Sequence, residues 1–199
     1  MKLSQSLEIR WFFDRPLPPF RKWDETNRPR TDFYAPITDG RSSVKLRGGE
    51  LWPHLETKHL VRQVGEFQQW SKCSIEIDEA DSGNLVDDAQ TNWIGVTKYR
   101  CLKNFTLDAK QSWAEKDCTS GGGDCIQVEW SRINVREQRF FTFCIEALVL
   151  NSKSNSKSYE QSLTMAKSLL SELVARLAIE FPTDCKTTSY PTWLAQQTT

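Results

Sequence analysis

Charged residues two apart recur along this chain: Glu8 with Arg10, Lys45 with Arg47, Glu56 with Lys58, and Lys98 with Arg100. In an extended strand such neighbours share one face, roughly 7 Å apart. Glu129 and Glu146 join them in late segments whose opposite parity is apolar or small. Guanidinium forks and ammonium groups match the oxygens of a polyphosphate. Carboxylates in the same space would repel that ligand unless a divalent cation bridged the two. Magnesium or manganese does this with one or two carboxylates plus phosphate oxygens and water. The bland alternative makes each alternation the wet face of an ordinary antiparallel sheet. Two like-charge pairs, Lys45/Arg47 and Lys98/Arg100, beside Arg10 and Lys58 favour an enclosed lumen. The intervening Trp11, Leu46, Trp93 and Phe143 give the other face apolar packing.

The elements that must position these residues follow from hydrophobic periodicity. Leu7, Ile9, Trp11 and Phe13 alternate with Ser6, Glu8, Arg10 and Phe12. Val44 and Leu46 alternate with Lys45 and Arg47 after a turn at Asp39-Gly40, and Ile75 and Ile77 with Glu76 and Asp78. WIGVTKYR reads as a further strand, and CIQVEWSRI with RFFTFCIEALVL as a closing antiparallel hairpin. Leu163, Ala166, Leu170, Leu173 and Leu177 predict a helix, with Ser158-x-x-Gln161 as its capping box. A shorter helix is expected near Leu60–Trp70. Residues 14–31, 79–92, 118–125 and 151–157 read as polar loops or linkers. Many strands with one or two appended helices make an α+β architecture.

At 199 residues the chain suits a single domain, 1–199. Lys+Arg and Asp+Glu balance at 26 each, which argues against a generic nucleic-acid binder. The sequence shows neither the apolar core of a signal peptide nor a membrane span, so no membrane partner is expected. Six scattered cysteines without a Cys-x-x-Cys pair, and His54 and His59 as the two histidines, disfavour structural zinc. Reduced thiols in a cytoplasmic protein are the expectation. Ser120–Gly123 lacks the Gly-Lys-Ser/Thr ending of a phosphate-binding loop and reads as a turn. Trp193, near the C-terminus, is expected to cap the barrel.

The order of these segments resembles the CYTH superfamily, the triphosphate tunnel metalloenzymes, which include class IV adenylyl cyclases and thiamine triphosphatases. Ser6-Leu-Glu8-Ile-Arg10 is similar to the family's opening Glu-x-Glu-x-Lys strand. DFYAPITDGRSSVKLRGGELWPHLETKHL resembles its second block, GEFQQWSK the connecting segment, VTKYR the Lys-x-Arg strand, and FCIEALV the late Glu-x-Glu strand. The resemblance implies an antiparallel eight-stranded β-barrel with appended helices, including a C-terminal helix. It implies a tunnel that binds triphosphate with Mg2+ or Mn2+. Arg10, Lys45, Arg47, Lys58, Lys98 and Arg100 would then hold phosphates. Glu8, Glu129 and Glu146 would be catalytic, with Glu8 and Glu146 holding metal. The chain departs from the pattern at Ser6, at Arg10, and at Cys144 and Gln127, each standing where an acid would precede Glu146 or Glu129. Fewer acids remain for metal. The expected ligand is a triphosphate-bearing small molecule or inorganic polyphosphate. Hydrolysis, non-catalytic binding and, ranked lower, ATP cyclisation stay open, beside an interaction protein with no tunnel ligand.

Overall fold

The period-two run at the N-terminus forms strand β1 (Lys2–Phe13), whose odd positions Leu7, Ile9, Trp11 and Phe13 are all buried. The computed structural model describes residues 1–17, 29–47, 54–107, 112–115, 126–149, 156–177, 179–182 and 185–197. The further strands are β2 (Arg30–Tyr34), β3 (Ser42–Arg47), β4 (His54–Val64), β5 (Phe67–Glu76), β6 (Ile94–Leu107), β7 (Trp113–Glu115), β8 (Ile126–Val135) and β9 (Gln138–Val149). The helices are α1 (Glu79–Asn92), α2 (Ser156–Leu177) and α3 (Tyr190–Gln196). Among the described residues no helix is long and apolar enough to cross a membrane.

Neighbouring strands run in the order β2-β3-β4-β5-β1-β9-β8-β6, all antiparallel, and β6 pairs back onto β2. This closes an eight-stranded antiparallel barrel, with β7 added along the far end of β6. Closure therefore lies between β2 and β6, not at the β8–β9 hairpin, because β2 takes the free edge of β6 from Ile94 to Lys98. Closure removes the exposed edges that an open sheet of this size would leave.

Register carries one parity around the whole barrel. Glu8 faces Glu146 across β1–β9, Lys58 faces Lys72 across β4–β5, Lys45 faces Glu56 across β3–β4, and Arg30 faces Lys98 across β2–β6. Because side chains alternate, these positions point to one side and their neighbours to the other. The outward side of β1, β8 and β9 is the main hydrophobic core. Leu7, Ile9, Trp11, Val128, Phe143 and Ile145 pack there with Leu163, Ala166, Leu169 and Leu173 of α2. Each fully buried side chain of this kind contributes about 1.5–3 kcal/mol. The barrel is thus apolar outside, where α2 covers it, and charged within.

A second apolar cluster plugs one end. Ser189 caps α3 by accepting a hydrogen bond from the Thr192 amide at 3.0 Å. Trp193 stacks on Phe12 at 4.3 Å and meets Phe140 edge-on at 5.0 Å, while Tyr190 stacks on Tyr34 at 5.4 Å. Trp193 thus occupies the capping position expected of it. The Gly40 carbonyl accepts from the Ser189 and Thr192 hydroxyls, tying the β2–β3 turn to this plug. Gly40 has φ +66°, and a Cβ there would lie 2.7 Å from Thr192 Oγ1 and 3.1 Å from its Cα. Gly40→Ala therefore combines left-handed strain with a clash against the Thr192 hydroxyl and a tight approach to its backbone. It is expected to cost about 1–3 kcal/mol in urea unfolding. An unchanged midpoint would show that α3 is not seated on the turn.

Four expectations are corrected. Leu60–Trp70 is no helix but the β4–β5 hairpin, turning at Gly65 (φ +60°), which supplies the left-handed residue such a turn needs. Residues 79–92 form α1 rather than a loop. Of its described side chains Ala89 alone is fully buried, so no apolar stripe advertised the helix. Helix α2 begins at Ser156, two residues before the expected cap at Ser158. Arg30 and Thr31, placed in the first loop, open β2. The Ser120–Gly123 turn with Cys118 and Cys125, most of the 151–157 linker and most of the 14–31 loop lie outside the described residues.

Candidate anion-binding lumen

Strand parity delivers all nine sequence-predicted residues to one place. Glu8, Arg10, Lys45, Arg47, Lys58, Lys98, Arg100, Glu129 and Glu146 all line a single cavity of about 180 Å³ inside the barrel. Arg30, Glu56 and Lys72 line it as well, with Tyr34 and Tyr190. Lys72 was hidden because its segment read as a connection. Its phase with Trp70, two residues earlier, was the available signal. Arg30, Asp32 and Tyr34 also alternate on one face, but the loop assignment through residue 31 concealed it.

The charges interlock. Glu8 is 2% exposed; its Oε1 accepts from Arg10 Nε at 3.1 Å and its Oε2 from Lys58 Nζ at 2.7 Å. Arg10 reaches onward to Glu129 at 2.9 Å and to the Thr142 hydroxyl at 3.1 Å. Glu129 also meets Arg100 at 3.7 Å. Lys45 joins Glu56 at 2.8 Å, and Lys72 is paired with Glu146. Asp32, fully buried behind the lining, holds Arg30 at 2.8 Å and Lys98 at 3.2 Å. Lys98 Nζ donates to the Tyr34 hydroxyl at 2.8 Å and sits 4.2 Å from the Tyr190 ring centroid.

These contacts decide protonation. Burial alone would raise the Glu8 carboxyl, yet Lys58, Arg10 and Lys72 outweigh it and hold it far below the usual range. Asp32 is depressed in the same way, against burial, by Lys98, Lys45 and Arg30. Glu129 lies at about 2, where Arg10 and Arg100 overcome burial, and Glu56 at about 2, where Lys45 does. Lys98 is the opposite case: burial pushes it down to about 7, despite Asp32, and Lys45 adds repulsion. Burial pushes the Tyr34 and Tyr190 phenols up.

The count still favours anions. Eight basic side chains line the cavity against four carboxylates, and Asp32 behind them makes five, leaving an excess of three when Lys98 is protonated. The Tyr190 hydroxyl, buried at the cavity wall, has no hydrogen-bond partner among the described residues.

A resident divalent ion fits these side chains poorly. No group of three or more His, Cys, Asp or Glu that could hold a metal occurs among the described residues. Glu8 and Glu146 do face one another, but each is already bound by a lysine.

The chain matches no known family profile and no curated protein sequence. Solved structures do match it across nearly its whole length. The PH1012 protein from Pyrococcus horikoshii is 13% identical over 93% of this chain and 98% of its own, with a TM-score of 0.51. A conserved hypothetical protein from Pyrococcus furiosus is 16% identical over 93% and 98%, at 0.49. HpAC1 from Hippeastrum, described as having a dominant triphosphatase activity, is 9% identical over 96% and 95%, at 0.47. At these identities the likeness is one of fold. That fold is the closed eight-stranded antiparallel barrel with a charged interior, shared over nearly the whole chain with the PH1012 protein.

Proposed function

We propose that the lumen binds the polyphosphate portion of a small molecule, or a short inorganic polyphosphate. The observation that carries this reading is the excess of three basic side chains over carboxylates around one cavity inside the barrel. Buried cations at this density repel one another, and a polyanion relieves that repulsion while accepting charge-assisted hydrogen bonds. A cavity of about 180 Å³ falls below the usual span of drug-sized ligand pockets, roughly 300–1,000 Å³. It suits a few phosphoryl groups, so a nucleoside would remain outside. This disfavours cyclisation of ATP, which needs the ribose beside the phosphates.

Arg10, Lys45, Arg47, Lys58, Lys98 and Arg100 are the proposed phosphate ligands, with Arg30 and Lys72 added. Arg47→Ala is expected to weaken binding of inorganic triphosphate by about 1.5–3 kcal/mol, the scale of a charge-assisted hydrogen bond. Titration calorimetry at fixed salt checks it, and wild-type affinity would remove Arg47 from the set.

A second reading is hydrolysis of a phosphoanhydride. It is favoured by Glu129, whose carboxylate stands at the lumen between Arg10 and Arg100. Held ionised, it would orient water by accepting its proton in a hydrogen bond, with Glu8 and Glu146 as the further candidate catalytic acids. A phosphate-release assay over several triphosphates, in magnesium, in manganese and in chelator, separates turnover from binding alone.

A further inference from the structure

Resting on the polyphosphate reading, we propose that Lys58 and Lys72 stand in for a divalent cation, so that the lumen takes its polyanion free of metal. Glu8 and Glu146 are registered directly opposite one another on β1 and β9 and both line the cavity. Like charges so placed destabilise a sheet unless a counter-charge lies between them. A divalent ion is one such counter-charge, and side-chain cations are another.

The structure supplies the second. Lys58 and Lys72 are themselves registered opposite one another on β4 and β5, a like-charge pair with the same need. Each reaches along the lumen wall, over one intervening strand, to a glutamate: Lys58 Nζ past β5 to Glu8 Oε2 at 2.7 Å, and Lys72 past β1 to Glu146. The two unfavourable pairs thus neutralise each other as a quartet. Arg10 Nε occupies the remaining oxygen of Glu8 at 3.1 Å. The neighbours placed to complete a metal site carry no charge: Glu146 faces Gln127 on β8, and Ser6 precedes Glu8 on the same face.

Magnesium would have to share each carboxylate with an ammonium group and bring two positive charges beside Lys58, Lys72 and Arg10. The same ion bound to the ligand would cancel part of the charge that the cationic walls recognise. Magnesium therefore competes with the lumen for the polyphosphate.

Calorimetric titration of inorganic triphosphate into the whole protein, in EDTA and in saturating magnesium, tests this. Affinity in EDTA is expected to equal or exceed that in magnesium. Strengthening by magnesium of more than about fivefold, the low end of ordinary coupling, overturns the inference. Lys72→Gln releases Glu146 opposite Glu8 and is expected to acquire that magnesium dependence, while Lys72→Arg, whatever its affinity, keeps the charge on Glu146 and is expected to stay without it. A folded Lys72→Gln without magnesium dependence also overturns it. Should Lys72→Gln fail to fold, the wild-type titrations decide. Absence of binding in both conditions brings down the polyphosphate reading itself, and this inference with it.

Discussion

Glu8→Gln is expected to lower the free energy of unfolding by about 3–5 kcal/mol, the cost of removing one partner from a buried ion pair. Glu8 is nearly inaccessible and anchors both Arg10 and Lys58. Glutamine keeps the shape but withdraws the charge, leaving Lys58 with its nearest anion gone and Lys72 across from it. Arg10 keeps Glu129 and Thr142, so the loss falls mainly on Lys58. Urea unfolding should show a lower midpoint at unchanged slope. Inorganic triphosphate should then restore stability, because the ligand supplies the missing negative charge. At a hundredfold excess over its dissociation constant it returns about 2.7 kcal/mol. Its affinity for the mutant should equal or exceed that for wild type, since a repelling carboxylate has left the cavity. A loss below about 1 kcal/mol, typical of exposed pairs, would mean that water screens the lumen and the enclosure fails.

The second large effect is on pH. Lys98 sits at about 7 because burial and Lys45 disfavour its charged form more than Asp32 favours it. Its folded value is depressed relative to the unfolded chain, so its protonation in the fold is a cost below about 7 that is relieved as pH rises towards the unfolded value. A polyanion reverses the balance: phosphate beside Lys98 favours the ammonium form and raises its pKa in the complex. Binding above pH 7 therefore takes up a proton. Affinity is expected to fall as pH rises from about 7, by up to roughly tenfold per unit, until the raised value in the complex is passed. Calorimetry in buffers of different ionisation enthalpy would register the uptake. Lys98→Met should bind more weakly at pH 6.5 and lose the uptake above pH 7. Identical pH profiles for mutant and wild type would place Lys98 outside the site.

Much of the site was legible because strand parity is a local property. Glu8/Arg10, Lys45/Arg47 and Lys98/Arg100 each share a face whatever the sheet does next, since alternate side chains must point the same way. The apolar residues between them, such as Leu7, Ile9 and Phe143, said that the opposite face was buried. The order of these strands with a trailing helix was enough to suggest the barrel. Where parity was masked the reading failed. Lys72 lay in a segment taken for a connection, Arg30 in one taken for a loop, and α1 buries too little to show a stripe.

By itself the sequence determined which side chains share a face, which face is apolar, and that cations outnumber carboxylates among the strand positions. Only the tertiary structure decided that these faces meet. Closure of β6 onto β2 and the register of β1 against β9 depend on contacts between residues far apart in the chain, which no local pattern encodes. That register sets Glu8 against Glu146, and the barrel's curvature brings Lys58 and Lys72 to them. The sequence listed acids and bases suited to metal and phosphate. Folding paired Glu8 and Glu146 with lysines and Glu129 with arginines, because a buried carboxylate without a counter-charge is too costly to leave facing another.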